Sequence, residues 1–416
     1  MTPRKFLFIH QNFPGQFVHV AAELVRLGHE VVALGIKGRG VPGVRLLRYA
    51  PKAPARVSEV SEARDFEAKI VRGMACAQAM TQLKTDGFEP DTIVAHPGWG
   101  ESLFCKDVWP SARLIMFAEF FYSASGADFN FDPEFAHDSL SGRARLRLKN
   151  SVHLQALHAA DAVYSPTHWQ RSQLPSEYLA KTSVIFDGIN SRAVVPQPQA
   201  SIHLRRDKLT LTAADEVITF VNRNLEPYRG FHVFMRALPD ILRQRPQAHC
   251  LIVGQDDVSY GTPPKAGGTW REVMLAEVGR QLPMDRVHFL GRLAYDDYLR
   301  VIQISSCHVY LTYPFVLSWS CLEAMSAGRV LVASNTGPVR EVIQHGVNGL
   351  LFDFFDVPAL ASQVVDVLAT PALYAHLGQQ ARQTVLDRYD LQRVCLPQLI
   401  ELVGGATPQA VSPPQS

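Results

Sequence analysis

The chain has 416 residues, of which 47% are hydrophobic, 19% are charged and 9% are aromatic. This is an ordinary globular composition that excludes a disordered or fibrous protein, and at about 150 residues per domain the length predicts two or three domains. Lys and Arg total 41 against 39 for Asp and Glu, so the net charge of +2 gives no general bias toward nucleic acid.

The cysteines and the apolar runs indicate the compartment. The chain has six cysteines, none in a C-x-x-C pair and most within apolar runs, which favours buried thiols over disulfides or a zinc site. The apolar run over residues 6–9 is too short for a secretory signal, and no stretch approaches the roughly 18 apolar residues that span a bilayer. We therefore expect a cytoplasmic protein, with membrane contact, if any, peripheral at the inner face of the plasma membrane.

The first half of the chain alternates short apolar strands with helical patterns. A strand is predicted over residues 6–9, and a helical pattern with apolar residues at regular spacing begins near Phe17. A long helical pattern covers residues 57–83. Further strands are predicted over residues 30–36, 92–95, 114–118, 162–165 and 183–186.

This alternation breaks near residues 190–212, where Pro196 and Pro198 stand in a polar stretch. It then resumes with a helix predicted over residues 231–242, and residues 255–268, rich in Gly, Pro and Asp, are predicted to form a loop. The strands predicted in this half cover residues 217–221, 251–253, 287–290, 309–311, 330–333 and 350–352.

The βαβα order predicts an α/β protein with two doubly wound, Rossmann-like domains, because parallel strands need helical crossovers on both sheet faces. The predicted boundaries are an N-terminal domain over 1–195, a linker over 196–212, a C-terminal domain over 213–388, a last helix over 389–403 and a disordered tail over 404–416. Ligands of such sheets bind beyond the carboxyl ends of the strands, so the loops that follow strands are where site residues are expected.

The glycine clusters do not match the common nucleotide-binding fingerprints. Gly35, Gly38 and Gly40 follow the second strand rather than the first and do not fit G-x-G-x-x-G, which favours a surface turn. The sequence contains no Walker A motif. These observations speak against an NAD-dependent dehydrogenase and against a P-loop ATPase.

Three residues of the first half follow predicted strands. Gly15 lies between the first strand and the first helix, where a glycine allows close approach of an anion or a sugar, or simply makes a turn. His96 follows the strand over 92–95 as either a site residue or a core histidine. Glu119 follows the strand over 114–118, where a carboxylate needs a partner such as a helix N-terminus, a cation or a substrate hydroxyl.

The second half places charged and polar residues in similar positions. Arg223 and Arg229 follow the strand over 217–221, and two guanidinium groups beside helix N-terminal amides can hold a diphosphate without a metal ion. Ser318 is predicted to be an N-cap. Glu323 lies on the first turns of the same helix, where it could accept hydrogen bonds from the vicinal hydroxyls of a ribose or simply favour the helix dipole.

Seven short segments carry a family resemblance. They are SPTHW at 165–169, VIFDGIN at 184–190, FVNR through RG at 220–230, LIVG at 251–254, VHFLG at 287–291, LEAMSAG at 322–328, and GPVRE with GVNGLL at 337–351. Each is weak alone, but in this order they resemble glycosyltransferase family 4. That family has the GT-B fold, in which two Rossmann-like domains face an interdomain cleft.

The resemblance implies a retaining, metal-independent hexosyltransferase that uses a nucleotide-diphosphate sugar as donor and no other cofactor. Arg223 and Arg229 would grip the diphosphate, although the family commonly has Lys at the second position, and Glu323 would bind the ribose. His96 matches a family histidine that faces the transferred sugar, and Gly15 matches the loop after the first strand.

The same resemblance assigns roles to larger segments and to partners. The N-terminal domain would lie on the acceptor side, the C-terminal domain would bind the nucleotide sugar, and the helix over 389–403 would cross back to the N-terminal domain. The backbone over 315–320, with Ser318, would line the phosphate and the donor sugar. The partners would be the donor and a glycan or lipid-linked acceptor, with no nucleic acid.

One position departs from the family pattern. The family has Glu-x7-Glu, but the residue eight positions before Glu323 is Phe315, which cannot accept a hydrogen bond through its side chain. Either another group replaces the first glutamate, or donor preference is altered, or activity is lost. Two alternatives to a transferase therefore stay open, a nucleotide-sugar epimerase on the same fold and a non-catalytic protein that binds a sugar nucleotide.

A run of basic residues lies in the half of the chain that is expected to bind the acceptor. Arg143, Arg145, Arg147 and Lys149 lead into a helical pattern. A solvated charged face is one interpretation, and a face directed at a membrane, as the resemblance suggests, is the other.

Overall fold

The computed structural model describes residues 3–52, 58–204 and 208–404. The chain divides into two compact units. The first unit comprises Met1–Gly188 together with Gln392–Ser416, and the second comprises Ile189–Leu391.

The first unit is built on a parallel sheet. Its strands are β1 (Lys5–Ile9), β2 (Asn12–Phe13), β3 (Glu30–Gly35), β4 (Lys37–Gly38), β5 (Arg45–Arg48), β6 (Thr92–Ala95), β7 (Arg113–Phe117), β8 (Ala162–Ser165) and β9 (Thr182–Val184). Seven of them form the sheet in the order β5-β3-β1-β6-β7-β8-β9, and β2 pairs with β4. The apolar residues of β1 are completely buried, as expected for a central strand covered on both faces.

Helices cover the sheet of the first unit. They are α1 (Val18–Arg26), α2 (Arg64–Thr85), α3 (Cys105–Val108), α4 (Leu140–Ala159), α5 (His168–Ser172) and α6 (Ser176–Leu179). In α1 the residues Val20, Ala21 and Leu24 are buried, at the spacing that turns one face of a helix to a core. The sequence predicts a longer helix over 57–83, but α2 begins only at Arg64, and residue 57 lies outside the described residues.

The second unit is also built on a parallel sheet. Its strands are β10 (Ser201–Leu204), β11 (Leu209–Thr212), β12 (Val217–Asn224), β13 (His249–Gln255), β14 (Val287–Gly291), β15 (Cys307–Tyr310), β16 (Leu331–Ser334) and β17 (Leu350–Phe352). Six of them form the sheet in the order β14-β13-β12-β15-β16-β17. Both units thus have the α/β architecture that the sequence predicts.

The helices of the second unit and the last helix complete the fold. They are α7 (Phe231–Gln244), α8 (Trp270–Val278), α9 (Tyr295–Gln303), α10 (Trp319–Ser326), α11 (Gly337–Arg340), α12 (Val357–Ala369), α13 (Pro371–Arg388) and α14 (Leu396–Gly404). The last of these, α14, packs against α1 and belongs to the first unit. Among the described helices none is alone long and apolar enough to cross a membrane, and α12 with α13 passes that test only as a pair bent by 103°.

The segment over 196–212 differs from the linker that the sequence predicts. It contains β10 and β11, which pair antiparallel, with Ile202 opposite Leu211. Both side chains are buried, as is Leu204, so alternating burial stabilises a hairpin where the prolines suggested irregular chain. At the other end, Gly404 is the last residue of α14, and the rest of the predicted tail, 405–416, lies outside the described residues.

Each parallel sheet has one point where the strand order reverses. In the first unit this point lies between β1 and β6, because β3 and β5 continue on one side and β7 to β9 on the other. In the second unit it lies between β12 and β15 for the same reason. A crevice opens beyond the carboxyl ends of the strands at such a point, and doubly wound sheets bind their ligands there.

Candidate active site

The switch point of the first unit brings together residues from three strand ends. His10 directly follows β1, His96 directly follows β6, and Glu119 comes two residues after β7. Because these strands are neighbours, the three side chains lie at one edge of the sheet. The Nε2 atom of His96 is 3.4 Å from a carboxylate oxygen of Glu119.

Backbone amides set the tautomers of both histidines. Nδ1 of His96 accepts a hydrogen bond from the N–H of Gly98, and Nδ1 of His10 accepts one from the N–H of Asn12, both at 3.0 Å. A ring nitrogen that accepts a hydrogen bond carries no proton, so the proton of each neutral imidazole is on Nε2. His96 therefore directs an N–H toward Glu119.

Gln16 links His10 to Glu119. The Nε2 atom of His10 donates to the side-chain oxygen of Gln16 at 3.0 Å, and the amide nitrogen of Gln16 donates to Oε1 of Glu119 at 3.1 Å. The result is a directed chain of hydrogen bonds that ends on the carboxylate.

Gly15 is required next to the ring of His10. Its φ of +50° is in the left-handed region, and a Cβ at this position would lie 2.4 Å from Nε2 of His10. The absence of a side chain at Gly15 thus makes room for the imidazole. Its predicted role in substrate binding stays a prediction.

Burial keeps the imidazole of His10 neutral. His10 is 3% exposed, and burial, with a smaller contribution from His96, lowers the pKa of His10 to about 3. The ring of His96 stacks on Trp99 at a centroid distance of 4.4 Å. The side chain of Glu119 is 34% exposed, so the carboxylate is the part of this cluster that a ligand can reach.

The switch point of the second unit holds a buried cation. Arg229 lies in a short 3-10 helix, Pro227–Arg229, between β12 and α7, and is 6% exposed. Its Nη1 atom donates to the hydroxyl of Thr312 at 2.8 Å and to the carbonyl of Val316 at 3.0 Å. Among the described residues it forms no ion pair with a carboxylate.

The other predicted arginine is in a different environment. Arg223 lies on β12 and is exposed. It is therefore a surface cation near the same strand end, whereas Arg229 is a desolvated one.

Glu226 holds the loop beside Arg229. Its carboxylate is 1% exposed and accepts backbone hydrogen bonds from Ser259, Tyr260 and Gly261, at 3.1, 3.3 and 2.8 Å. This carboxylate therefore anchors the predicted loop over 255–268. The ring of Tyr260 lies 5.2 Å from the guanidinium carbon of Arg229, within the range of a cation–π interaction.

Phe315, at the position of the family's first glutamate, belongs to an aromatic cluster. It is 2% exposed and makes edge contacts with the rings of Tyr228 at 5.3 Å and Tyr260 at 4.8 Å. Its ring lies 5.8 Å from the guanidinium carbon of Arg229. The side chain at this position packs against the cation and supplies no hydrogen-bond acceptor.

Glu323 is held by two tyrosines. It is 8% exposed, and its two oxygens accept hydrogen bonds from the hydroxyls of Tyr295 and Tyr298, at 2.6 and 2.5 Å. Burial raises the pKa of Glu323, and the two hydrogen bonds lower it by less. Glu323 is therefore a buried, oriented acceptor rather than a solvated glutamate at a helix start.

Ser318 takes the N-cap position of α10 but makes no capping hydrogen bond. Its hydroxyl contacts the hydroxyl of Ser320 at 2.7 Å, and its own N–H donates to the hydroxyl of Tyr310 at 3.0 Å. Ser318 therefore occupies the predicted N-cap position, but its hydroxyl contacts another hydroxyl instead of a helix amide.

The basic run of the first unit is largely occupied by local contacts. Arg143 pairs with Asp138, and Arg145 lies 3.9 Å from Glu62. The ammonium group of Lys149 lies 3.6 Å above the ring centroid of Tyr122. Arg143 and Arg145 thus pair locally at the surface, whereas Lys149 is a largely desolvated cation packed on an aromatic ring.

Several residues of the two sites escaped sequence reasoning. His10 and Gln16 flank Gly15 in the turn after β1, so their position beyond a strand end could have singled them out. Glu226 stands between the two predicted arginines. The tyrosines that hold Glu323 gave no sequence indication, because only the packing of α9 on α10 brings them there.

Two family models match the chain. The model described as "Glycosyl transferase family 4 group" matches residues 27–194, and the model described as "Glycosyl transferases group 1" matches residues 202–384. Glycogen synthase of Mycobacterium tuberculosis (strain CDC 1551 / Oshkosh) is 24% identical over 397 residues, which are 90% of this chain and 87% of that protein. A phosphatidyl-myo-inositol mannosyltransferase of Mycobacterium leprae is 28% identical over 53% of this chain and 52% of its own length.

Solved structures show the same architecture. Sucrose-phosphate synthase from Thermosynechococcus elongatus aligns with a TM-score of 0.71 at 18% identity, over 97% of this chain and 100% of that chain. Alr3699/HepE from Anabaena, in complex with UDP-glucose, aligns with a TM-score of 0.65 at 16% identity and the same coverage. The two family models and this shared fold lead to one conclusion: the chain belongs to the family 4-like glycosyltransferases of the GT-B fold.

Proposed function

We propose that this glycosyltransferase moves a hexosyl group from a nucleotide-diphosphate sugar to a hydroxyl acceptor, with retention of configuration and without a metal ion. The acceptor is a glycan or a lipid-linked sugar, in the synthesis of a glycoconjugate, glycolipid or surface polysaccharide. The observation that carries the proposal is the burial of Arg229 without an ion pair among the described residues.

A buried guanidinium is costly unless an anion compensates it. The Arg229 side chain is fixed by Thr312 and Val316, so its orientation exists before a ligand arrives. Guanidinium groups bind phosphate oxygens through charge-assisted hydrogen bonds, and a diphosphate would supply the missing anion. Arg223, exposed near the same strand end, would add a second positive charge.

The other assigned residues complete the proposed donor and acceptor contacts. Glu323 is oriented to accept hydrogen bonds from the ribose hydroxyls, and the backbone near Ser318 lines the phosphates. In the first unit, His96 faces the transferred sugar, and Glu119 and the turn at Gly15 contribute to substrate binding. The structures of HepE with UDP and with UDP-glucose support a nucleotide sugar as the donor.

The proposed mechanism is electrostatic. Negative charge develops on the diphosphate as the glycosidic bond breaks, and Arg229 and Arg223 stabilise it. A preorganised cation is more effective here than a mobile one, because it needs no reorganisation during the reaction. The acceptor hydroxyl attacks on the same face, and its proton passes to the leaving phosphate.

Calorimetric titration with UDP, GDP and ADP tests the phosphate assignment. We expect Arg229→Ala to weaken binding of the preferred nucleotide by about 100-fold, since it removes a desolvated charged contact. Arg243→Ala is the matched control, because Arg243 lies on α7 of the same unit as a 71% exposed partner of Asp240. Equal affinity of Arg229→Ala and the unaltered protein would contradict the proposal.

A product assay separates transfer from the two alternatives. UDP-glucose, GDP-mannose and ADP-glucose are each incubated with glycogen, with D-inositol 3-phosphate and with phosphatidylinositol vesicles. Release of nucleoside diphosphate together with a glycosylated acceptor supports transfer. An epimerised sugar without transfer would indicate an epimerase, and binding without any product would indicate a non-catalytic protein.

A further inference from the structure

We infer that His10 and Gln16 are positioning residues that hold the Glu119 carboxylate ready to accept a hydrogen bond from a substrate hydroxyl. The inference rests on the proposed function, because it concerns the hydroxyl-bearing substrate of the same enzyme. The family resemblance gives a role to Gly15 and His96 but none to His10 or Gln16.

The direction of the hydrogen bonds supports positioning. The N–H of Asn12 is an obligatory donor, so Nδ1 of His10 must accept and Nε2 must donate. The side-chain oxygen of Gln16 accepts this bond, which turns its amide N–H toward Oε1 of Glu119. The orientation of the carboxylate thus follows from a backbone group of the turn after β1.

Packing keeps His10 in place and neutral. The ring of His10 lies edge-on to Phe17 at 5.6 Å and to Trp99 at 5.0 Å, and Gly15 leaves the space that the ring fills. Its lowered pKa of about 3 means that Nδ1 stays unprotonated at physiological pH. A charged imidazole would also lose the bond from Asn12.

The chain ends where a hydroxyl can bind. Glu119 is partly exposed, and the Nε2 atom of His96, 3.4 Å away, has no hydrogen-bond partner among the described residues. A hydroxyl can donate to the exposed part of the carboxylate, which an ionised phosphate or carboxylate ligand cannot do. The chemistry therefore fits a neutral, hydroxyl-rich substrate such as a sugar.

The variant Gln16→Glu tests this arrangement. Its carboxylate would lie about 3 Å from Glu119, and two carboxylates at that separation cannot both ionise, so the pKa of the pair rises. At low pH the pair of carboxylates shares one proton, which restores a hydrogen-bond donor to Glu119. At higher pH this proton dissociates and the donor is lost. The titratable groups of this cluster are His10, His96 and Glu119, and Glu101 and His153 interact electrostatically with His96.

We expect kcat of Gln16→Glu to fall about 10-fold between pH 5.5 and pH 8, a fall that the unaltered protein lacks. The measured reaction is release of nucleoside diphosphate, with the donor and acceptor that give product in the assay of three donors and three acceptors. If no acceptor is glycosylated, hydrolysis of the donor is measured instead. Gln16→Leu, which can make neither hydrogen bond, should show a lowered kcat at every pH.

Two measurements distinguish a positioning role of Gln16 from a nonspecific structural effect of the substitution. Gln11→Glu adds the same charge to the same turn, but the Gln11 side chain makes no hydrogen bond with the described residues, so its pH profile should match the unaltered protein. Nucleotide affinity, set in the second unit, should be unchanged in all three variants. A pH profile of Gln16→Glu identical to that of Gln11→Glu would overturn the inference while transfer itself remains, whereas absence of any turnover by the unaltered protein would overturn both proposals.

Discussion

The switch point of the first unit carries two imidazoles, of which burial keeps that of His10 uncharged, and one carboxylate, whereas that of the second carries a guanidinium that forms no ion pair among the described residues. Both lie beyond the carboxyl ends of parallel strands in doubly wound sheets. The same backbone arrangement thus supports opposite electrostatic environments, and the residues that directly follow the strands decide which one.

The two sites also differ in the groups that orient their charged side chain. Glu119 is oriented by other side chains through Gln16 and His10. Arg229 is oriented by a hydroxyl and a carbonyl next to the loop that Glu226 anchors. We therefore expect the second site to be sensitive to loop stability and the first to be sensitive to pH.

Removal of the loop anchor should give the largest effect. Glu226→Ala leaves three backbone N–H groups of the loop without the buried carboxylate that accepts their hydrogen bonds, and we expect a loss of about 2–3 kcal/mol in the free energy of unfolding. Nucleotide affinity should fall about 10-fold, because Tyr260 is no longer held against Arg229. Urea denaturation and calorimetry measure the two quantities.

Glu277→Ala is the control for this prediction. It removes an acidic side chain of the same unit that is 41% exposed and pairs with Arg236. Such surface pairs contribute about 0–1 kcal/mol, so its unfolding curve should stay close to that of the unaltered protein. Equal stability of the two variants would mean that the loop is held by contacts other than Glu226.

The second-largest expected effect is a pH dependence of stability that comes from His10 in the first site. The folded-state pKa of His10 is about 3, below the ordinary value of about 6.5, so the unfolded chain takes up a proton first as the pH falls. Stability from the neutral histidine is complete above pH 6.5 and is lost progressively between about pH 6.5 and pH 3, with a loss of about 2 kcal/mol at pH 5.

We expect His10→Gln to lack this loss, since glutamine does not titrate. The difference in unfolding free energy between the two proteins should therefore change by about 2 kcal/mol between pH 7 and pH 5, as urea denaturation at each pH would show. His137→Gln, at an exposed position, should retain the slope of the unaltered protein. Parallel pH dependences for His10→Gln and the unaltered protein would place His10 in a more polar environment.

Sequence periodicity predicts much of the fold because each strand is a short, continuous apolar run. The predicted strands over 6–9 and 92–95 correspond closely to β1 and β6, whose burial on both faces requires such runs. Chain order then places His96, Glu119 and Arg229 after strands. The hairpin of β10 and β11 was missed because its alternation is only four residues long in each strand.

The partners of the site residues could not be predicted in the same way. Gln16 and Glu119 are 103 residues apart in the chain, and Tyr298 meets Glu323 only because α9 packs on α10. Such contacts depend on tertiary packing rather than on local pattern. The burial of Arg229 is likewise invisible in the sequence, although it separates this residue from the exposed Arg223.

The smallest expected effect tests whether the second site recognises more than charge. Tyr298→Phe removes one of the two hydrogen bonds to Glu323, which should cost about 1 kcal/mol of stability and raise the pKa of Glu323 further. A group with a raised folded-state pKa contributes stability that is present at low pH and lost as the pH rises through that value, so the deficit should be larger at pH 8 than at pH 5.

The same variant links Glu323 to the ribose. The ionised carboxylate is the form that accepts hydrogen bonds from two hydroxyls, so nucleotide affinity in Tyr298→Phe should begin to fall at a higher pH on acidification than in the unaltered protein. Calorimetry with UDP and with 2′-deoxy-UDP measures this, and the shift should be smaller for the deoxy ligand. If the two ligands behave alike, Glu323 does not contact the ribose, and the second site differs from the first by the charge of Arg229 alone.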